Sequence, residues 1–274
     1  MSVIQKHRLI ASLLIHNGDV VQTRRFRPTN NVGSAFTAVD FFNGWTVDEI
    51  IALEISKDDA HVARFVETVE GLSRRCFVPL TVGGKIADLA RVRAYTRAGA
   101  DKIALNSAAL ERPEFITEIA GEFGRQCVVL SIDARRNPAL PSGYEAVGGR
   151  GRLPSGRDVR AWAEEATRLG AGEILLNELE HDGDRRGYDL ALVRMVSEAV
   201  SVPVIAFGGV GNWDHLVAGI REGRADAVAA GNIFHYTEHS TKKAKEHMAA
   251  AGLPVRATTF YKVAMPRQPT YRPF

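Results

Sequence analysis

The chain has only two cysteines in 274 residues, and neither lies in a CxxC pair or beside a histidine cluster. That spacing excludes a disulfide framework and a thiolate metal site. Cys76 and Cys127 each fall in an apolar, strand-like run and read as reduced packing residues of a cytoplasmic protein. No apolar run approaches the length of a membrane span, and residues 1–7 lack the apolar core of a signal peptide. There is no metal-ligand set and no nucleotide-binding motif, so neither a metal nor a cofactor is expected. An excess of one charge is missing too. The net charge of +3 is spread along the chain, which admits anionic small-molecule substrates but leaves no footprint for nucleic acid.

What is present is a periodic alternation. Strand-like runs recur at 8–15, 47–54, 77–82, 101–106, 126–133, 173–177, 202–206 and 226–230. Amphipathic, Ala- and charge-rich stretches such as 87–98, 158–169 and 189–199 lie between most of them. This alternation predicts a parallel sheet with helices outside, and eight units over about 250 residues is the size of a (β/α)8 barrel. The two halves resemble each other. Val78-Pro79-Leu80-Thr81-Val82-Gly83-Gly84 parallels 202–209, and Ala98-Gly99-Ala100-Asp101 parallels 223–226, at a nearly constant offset. Such constancy points to two fused half-barrels. A doubly wound open sheet is the alternative, and it leaves a repeat of four units unexplained. The barrel is expected over 1–256, with a basic, Pro- and aromatic-containing tail over 257–274.

Sites in such barrels gather at the C-terminal strand ends. The fifth run, Cys127-Val128-Val129-Leu130-Ser131-Ile132-Asp133, ends in a carboxylate that either caps a turn or does acid/base chemistry. Arg135-Arg136-Asn137-Pro138 is expected to turn the chain away just beyond it. Gly83-Gly84 follows the third run and Gly208-Gly209 the seventh. Asn106-Ser107 follows the fourth and Gly231-Asn232 the eighth. Two glycine-lined sets on opposite sides suit a substrate with two anionic ends; ordinary βα turns are the other reading. The loop 178–189 suits a solvated loop or a substrate lid, with Glu180 and Asp182 as candidate proton-transfer groups. At the opposite end Arg8, Glu49, Lys102 and Glu173 begin the first, second, fourth and sixth runs. Their alternating signs suit a ring of ion pairs inside the barrel base, or four side chains snorkelling separately to water.

These stretches, with 98–109, 126–134, 170–176, 225–235 and Asp182-Gly183 followed by Gly187-Tyr188-Asp189-Leu190, resemble the cyclase subunit of imidazole glycerol phosphate synthase. The resemblance covers roughly residues 6–256. It implies a lyase-type synthase subunit of a glutamine amidotransferase, with a glutaminase docked on the barrel bottom as a heterodimer. Ammonia would then pass a gate at Arg8, Glu49, Lys102 and Glu173 and rise to the substrate. The family's two catalytic aspartates map to Asp133 and to Leu14, and a leucine moves no protons. Gln22, Glu54 and Lys85 also stand where the family has lysine, aspartate and glycine. These departures, with the 47–55 region, resemble a divergent branch linked to surface-polysaccharide biosynthesis. That branch works with a separate sugar amidotransferase toward amidination of a nucleotide-linked sugar. The histidine-pathway cyclase itself and a noncatalytic ammonia conduit are the other implied roles.

Overall fold

The structure, a computed structural model, describes residues 6–57, 60–236 and 239–258. The tail expected over 257–274 lies outside the described residues from position 259 onward. Twelve strands are present among the described residues. They are β1 (Arg8–His16), β2 (Asp19–Arg24), β3 (Arg27–Gly33), β4 (Glu49–Glu54), β5 (Leu80–Gly83), β6 (Lys102–Leu105), β7 (Val128–Arg136), β8 (Tyr144–Gly148), β9 (Leu153–Asp158), β10 (Glu173–Glu178), β11 (Val204–Phe207) and β12 (Ala227–Ala230).

Eight of these pair in parallel in the order β10-β11-β12-β1-β4-β5-β6-β7, and β10 also pairs with β7. That last pairing closes the sheet into a barrel and rules out the open doubly wound sheet. The eight fall on the eight runs read from the sequence, with ends shifted by one to three residues. Helices follow the barrel strands, and their starts are chemically marked. Asp88, Asp158, Asp189 and Asn212 each accept a backbone N–H from the first turn of the next helix, a cap that contributes about 1 kcal/mol.

A parallel barrel buries both faces of its strands, which is why they read as continuous apolar runs. Leu9, Leu13, Ile15, Phe65, Tyr95 and Trp162 belong to the layer between sheet and helices. Ile10, Ile51, Ala104, Val129, Leu175, Ile205, Ala227 and Ala229 fill the barrel itself. The duplication is visible as repeated clamps at the strand starts. Asp101 Oδ2 accepts the amide of Leu80 at 2.8 Å, Asp226 Oδ2 that of Val204 at 2.9 Å, and Asp48 Oδ2 that of Leu9 at 2.9 Å. The fourth such position is Gly172, where a Cβ would lie 2.2 Å from the Arg125 carbonyl.

The sequence reading did not contain the two hairpins that rise from the mouth. β2 pairs antiparallel with the upper end of β1, and β3 with β2. β7 does not turn away after Asp133 as expected. It continues to Arg136 and pairs antiparallel with β8, which pairs with β9. The cysteines also sit differently from expectation. Cys127 is buried in a short 3-10 turn before β7, and half-buried Cys76 lies in the connection before β5. Both remain unpaired thiols, and burial pushes Cys76 up to about 11.

Candidate active site

Asp133 and Leu14 occupy matching places in the two halves. Asp133 pairs with Asn177 on β10, and Leu14 pairs with Leu53 on β4. Both side chains face the barrel mouth, but only one is a carboxylate. Asp133 is flanked by two amides: Asn106 Nδ2 donates to Oδ2 at 3.1 Å and Asn177 Nδ2 to Oδ1 at 3.3 Å. Burial raises its pKa to about 7, the Asn177 hydrogen bond works against that shift, and the charge of Asp182 adds to it. A carboxyl group tuned there can take or give a proton near neutral pH.

A cavity of about 330 Å³ opens beside Asp133, lined by Glu54, Gly84, Lys85, Asn106, Ser107 and Arg150 among others. Glu54 accepts the Ser56 amide at 2.7 Å through one oxygen, while its second oxygen is buried with no partner among the described residues. Glu178, its equivalent in the second half, repeats this: Oε2 accepts from the His181 amide at 2.8 Å and Oε1 has no partner among the described residues. Burial raises the Glu178 carboxyl.

A second cavity of about 390 Å³ lies across the mouth, lined by Leu14, Asp182, Gly208, Gly209, Gly231 and Asn232 among others. Of the two glycine-bearing sets named from the sequence, Gly84, Asn106 and Ser107 line the first cavity and Gly208, Gly209, Gly231 and Asn232 the second, while Gly83 lines neither and stays within the sheet, paired with Leu53 and Ala104. Asn106 and Gly231 share an unusual backbone, φ −132, ψ −92 and φ −116, ψ −80. Their neighbours carry more than a phosphate reading foresees. The Asn106 side chain is spent on Asp133 and the Ser131 carbonyl. Asn232 grips the backbone of Thr23 through both its amide atoms, at 2.7 and 3.2 Å. Gly84 has φ +95 and its added Cβ would lie 2.2 Å from the Glu54 carbonyl. At Gly208, φ +90, a Cβ would lie 2.2 Å from Asn177 Oδ1. Gly208 therefore lets Asn177 sit against Asp133. Ser107 receives the Gly149 amide at 2.9 Å, tying this corner to the β8–β9 turn. Lys85, with φ +56, holds the left-handed conformation that a glycine adopts without strain, and its ammonium donates to the Lys57 carbonyl.

Asp182 is not a solvated loop carboxylate. It is buried, and it accepts from Thr23 Oγ1 at 2.9 Å and from the Phe26 amide at 2.8 Å, while its carbonyl accepts from the Arg25 amide at 3.1 Å. Burial raises its pKa despite those donors. Its bonds pin the tip of the β2–β3 hairpin, where Arg25 and Phe26 have φ +53 and +56. Glu180, the other candidate in the same loop, is exposed.

At the base, the four strand-starting charges meet in one cycle. Arg8 contacts Glu49 at 2.7 Å and also Glu173. Lys102 contacts Glu49 at 3.0 Å and Glu173 at 2.8 Å. Thr81 Oγ1 adds a donor to Glu49 at 2.8 Å. The glutamate side chains are 1% and 8% exposed, so these carboxylates do not snorkel to water. Burial works to lower the Arg8 guanidinium, and the two glutamates outweigh it, holding it above its usual range.

A closed (β/α)8 barrel with a near-neutral carboxyl group at its mouth and paired cavities around it defines a barrel enzyme of the duplicated half-barrel kind. The histidine biosynthesis protein family matches residues 8–240, and the chain belongs to that family, which is one of enzymes. No helix among the described residues is long and apolar enough to cross a membrane.

Proposed function

We propose that this protein is the ammonia-using synthase subunit of a glutamine amidotransferase whose acceptor is not the histidine precursor. The observation that carries the reading is the contrast between the two ends of the barrel. At the base, all four charges of the ring are present and engaged with one another. At the mouth, the carboxylate pair is reduced to Asp133, with buried, apolar Leu14 in the matching place. A glutaminase docks on the base in this reading, and strongly exposed Phe77, in the connection entering β5, lies on that same face. Between base and mouth the barrel filling is mostly branched and apolar, and the smaller Ala104, Ala227 and Ala229 leave the places beside which neutral ammonia passes most easily. The acceptor is a nucleotide-linked sugar destined for a surface polysaccharide, amidinated with a separate sugar amidotransferase.

In this reading Asp133 moves the proton and the amides of Asn106 and Asn177 orient it. Gly83, Gly84 and Ser107 on one side, with Gly208, Gly209, Gly231 and Asn232 on the other, hold the anionic ends of the acceptor through the backbone. One observation favours the histidine-pathway cyclase as a second reading. Glu54 lines the Asp133 cavity and has an unpartnered carboxylate oxygen, so a second proton carrier stands near. The test supplies ammonium at high pH together with the phosphoribulosyl precursor of that pathway, with and without a glutaminase subunit. Expected are tight glutaminase binding and little or no imidazole glycerol phosphate. Turnover near the usual enzyme range of about 1 s⁻¹ or more returns the chain to histidine biosynthesis.

A further inference from the structure

Six arginines converge above the mouth. Arg24, Arg25 and Arg27 come from the β2–β3 hairpin, Arg135 from the upper end of β7, and Arg150 and Arg152 from the turn joining β8 to β9. Together they line one cleft of about 670 Å³. We propose that this cleft binds a diphosphate group, holding a diphosphate-bearing substrate so that its other end enters the Asp133 cavity.

The charge balance of the cleft supports this. Arg24 is paired with Asp184 at 2.6 Å and Arg135 with Glu145 at 2.9 Å, and Arg150 donates to the Ile55 carbonyl. Among the described residues Arg27 and Arg152 form no ion pair, Arg25 forms none either although its charge helps hold the Asp184 carboxyl down, and the remaining acid of the lining is Glu180. Like charges gathered at this density repel one another unless an anion enters. Arg150 registers that crowding: burial first, and the neighbouring Arg152 charge second, lower its guanidinium. The presentation is also fixed rather than fluid. Arg25 and Arg150 sit at φ +53 and +60, in turns held by Asp182 and by Ser107.

Guanidinium forks bind phosphate oxygens in bidentate pairs, and several forks on opposing walls suit two linked phosphates better than one. A concave cleft of this size suits a small ligand. Its position selects the ligand further, because Phe26 and Arg150 line both this cleft and the Asp133 cavity. The delivery of the far end of the substrate to Asp133 rests on reading the mouth as a synthase site. The binding of diphosphate does not rest on it.

The full chain should be titrated calorimetrically with inorganic diphosphate, inorganic phosphate and an oligo-glutamate peptide. Diphosphate is expected to bind at least about tenfold more tightly than phosphate, since a second phosphoryl group adds a further set of charge-assisted bonds. The exposed double variant Arg25→Glu with Arg152→Glu should abolish that preference, and Arg25→Gln with Arg152→Gln should weaken it partially. Neither pair lines the Gly84 cavity, so loss in these variants places the ligand in the cleft. Equal affinity for phosphate and diphosphate, or a preference that survives both variants, overturns the proposal. Tighter binding of oligo-glutamate also overturns it and makes the cleft a docking site for an acidic protein segment. Glutaminase binding by the wild type is measured in parallel; its absence would count against the ammonia-conduit reading and leave the titration result standing.

Discussion

Asp133 stores free energy in the native fold. Its folded pKa of about 7 stands above the value of about 3.9 for an unfolded aspartate. A raised carboxyl contributes stability that is fully present below the unfolded pKa and is lost as pH rises through the folded one. Between about pH 4 and pH 7 the native state therefore weakens relative to a variant with no titrating group there. Asp133→Asn is expected to gain on the wild type across that window, by roughly 2–3 kcal/mol between pH 5 and pH 8. Denaturant melts at the two pH values check this, and a constant difference would mean that Asp133 ionises as freely folded as unfolded. If Asp133 moves the proton as proposed, activity should show an inflection near pH 7, whereas the variant should be nearly inactive at every pH.

At the scale of elements, the barrel strands were legible because parallel strands buried on both faces leave apolar runs that the chain cannot disguise. Helix starts were legible through Asp158 and Asp189, which turned out to be the capping residues themselves. The hairpins were not legible, for identifiable reasons. The β2–β3 turn uses Arg25-Phe26 where two left-handed residues favour Asn-Gly, and β3 is exposed almost throughout and holds Pro28. Its conformation is imposed from outside, by Asp182 on a distant loop. No local pattern in the sequence announces a tertiary clamp. Asp182→Ala removes the acceptor of the Thr23 hydroxyl and the Phe26 amide, which should cost about 2–4 kcal/mol as two buried donors lose their partner. It should also free the hairpin, read as faster amide exchange at residues 20–30 with little change in β4 to β6. Uniform exchange across the barrel would show that the clamp serves the whole fold instead.

At the scale of the molecule, the ring at the base joins strands from both halves. The residue types and strand starts of its members were readable, since alternating signs at strand N-termini have few other uses. Their pairing geometry was not, because it depends on barrel closure. Lys102→Ala leaves the buried carboxylates of Glu49 and Glu173 each short of one cation, a change expected to cost about 3–5 kcal/mol. In the proposed complex with a glutaminase it should also let glutamine be hydrolysed without product. Replacement by Met, which restores apolar volume but no charge, should recover little of the stability, and full recovery would mean the ring is solvated.

The same ring is unevenly shared. Arg8, Glu49 and Lys102 come from the first half and only Glu173 from the second. At the places matching Arg8 and Lys102, the second half has Cys127 and Ala227, both buried. A barrel built from two copies of the second half would face two glutamates across its axis with no cation between them. One built from two first halves would carry four cations against two carboxylates. What began as interchangeable modules has become a lock and its key: cut at the Gly124 turn, the halves should complement each other, and neither should close on its own twin.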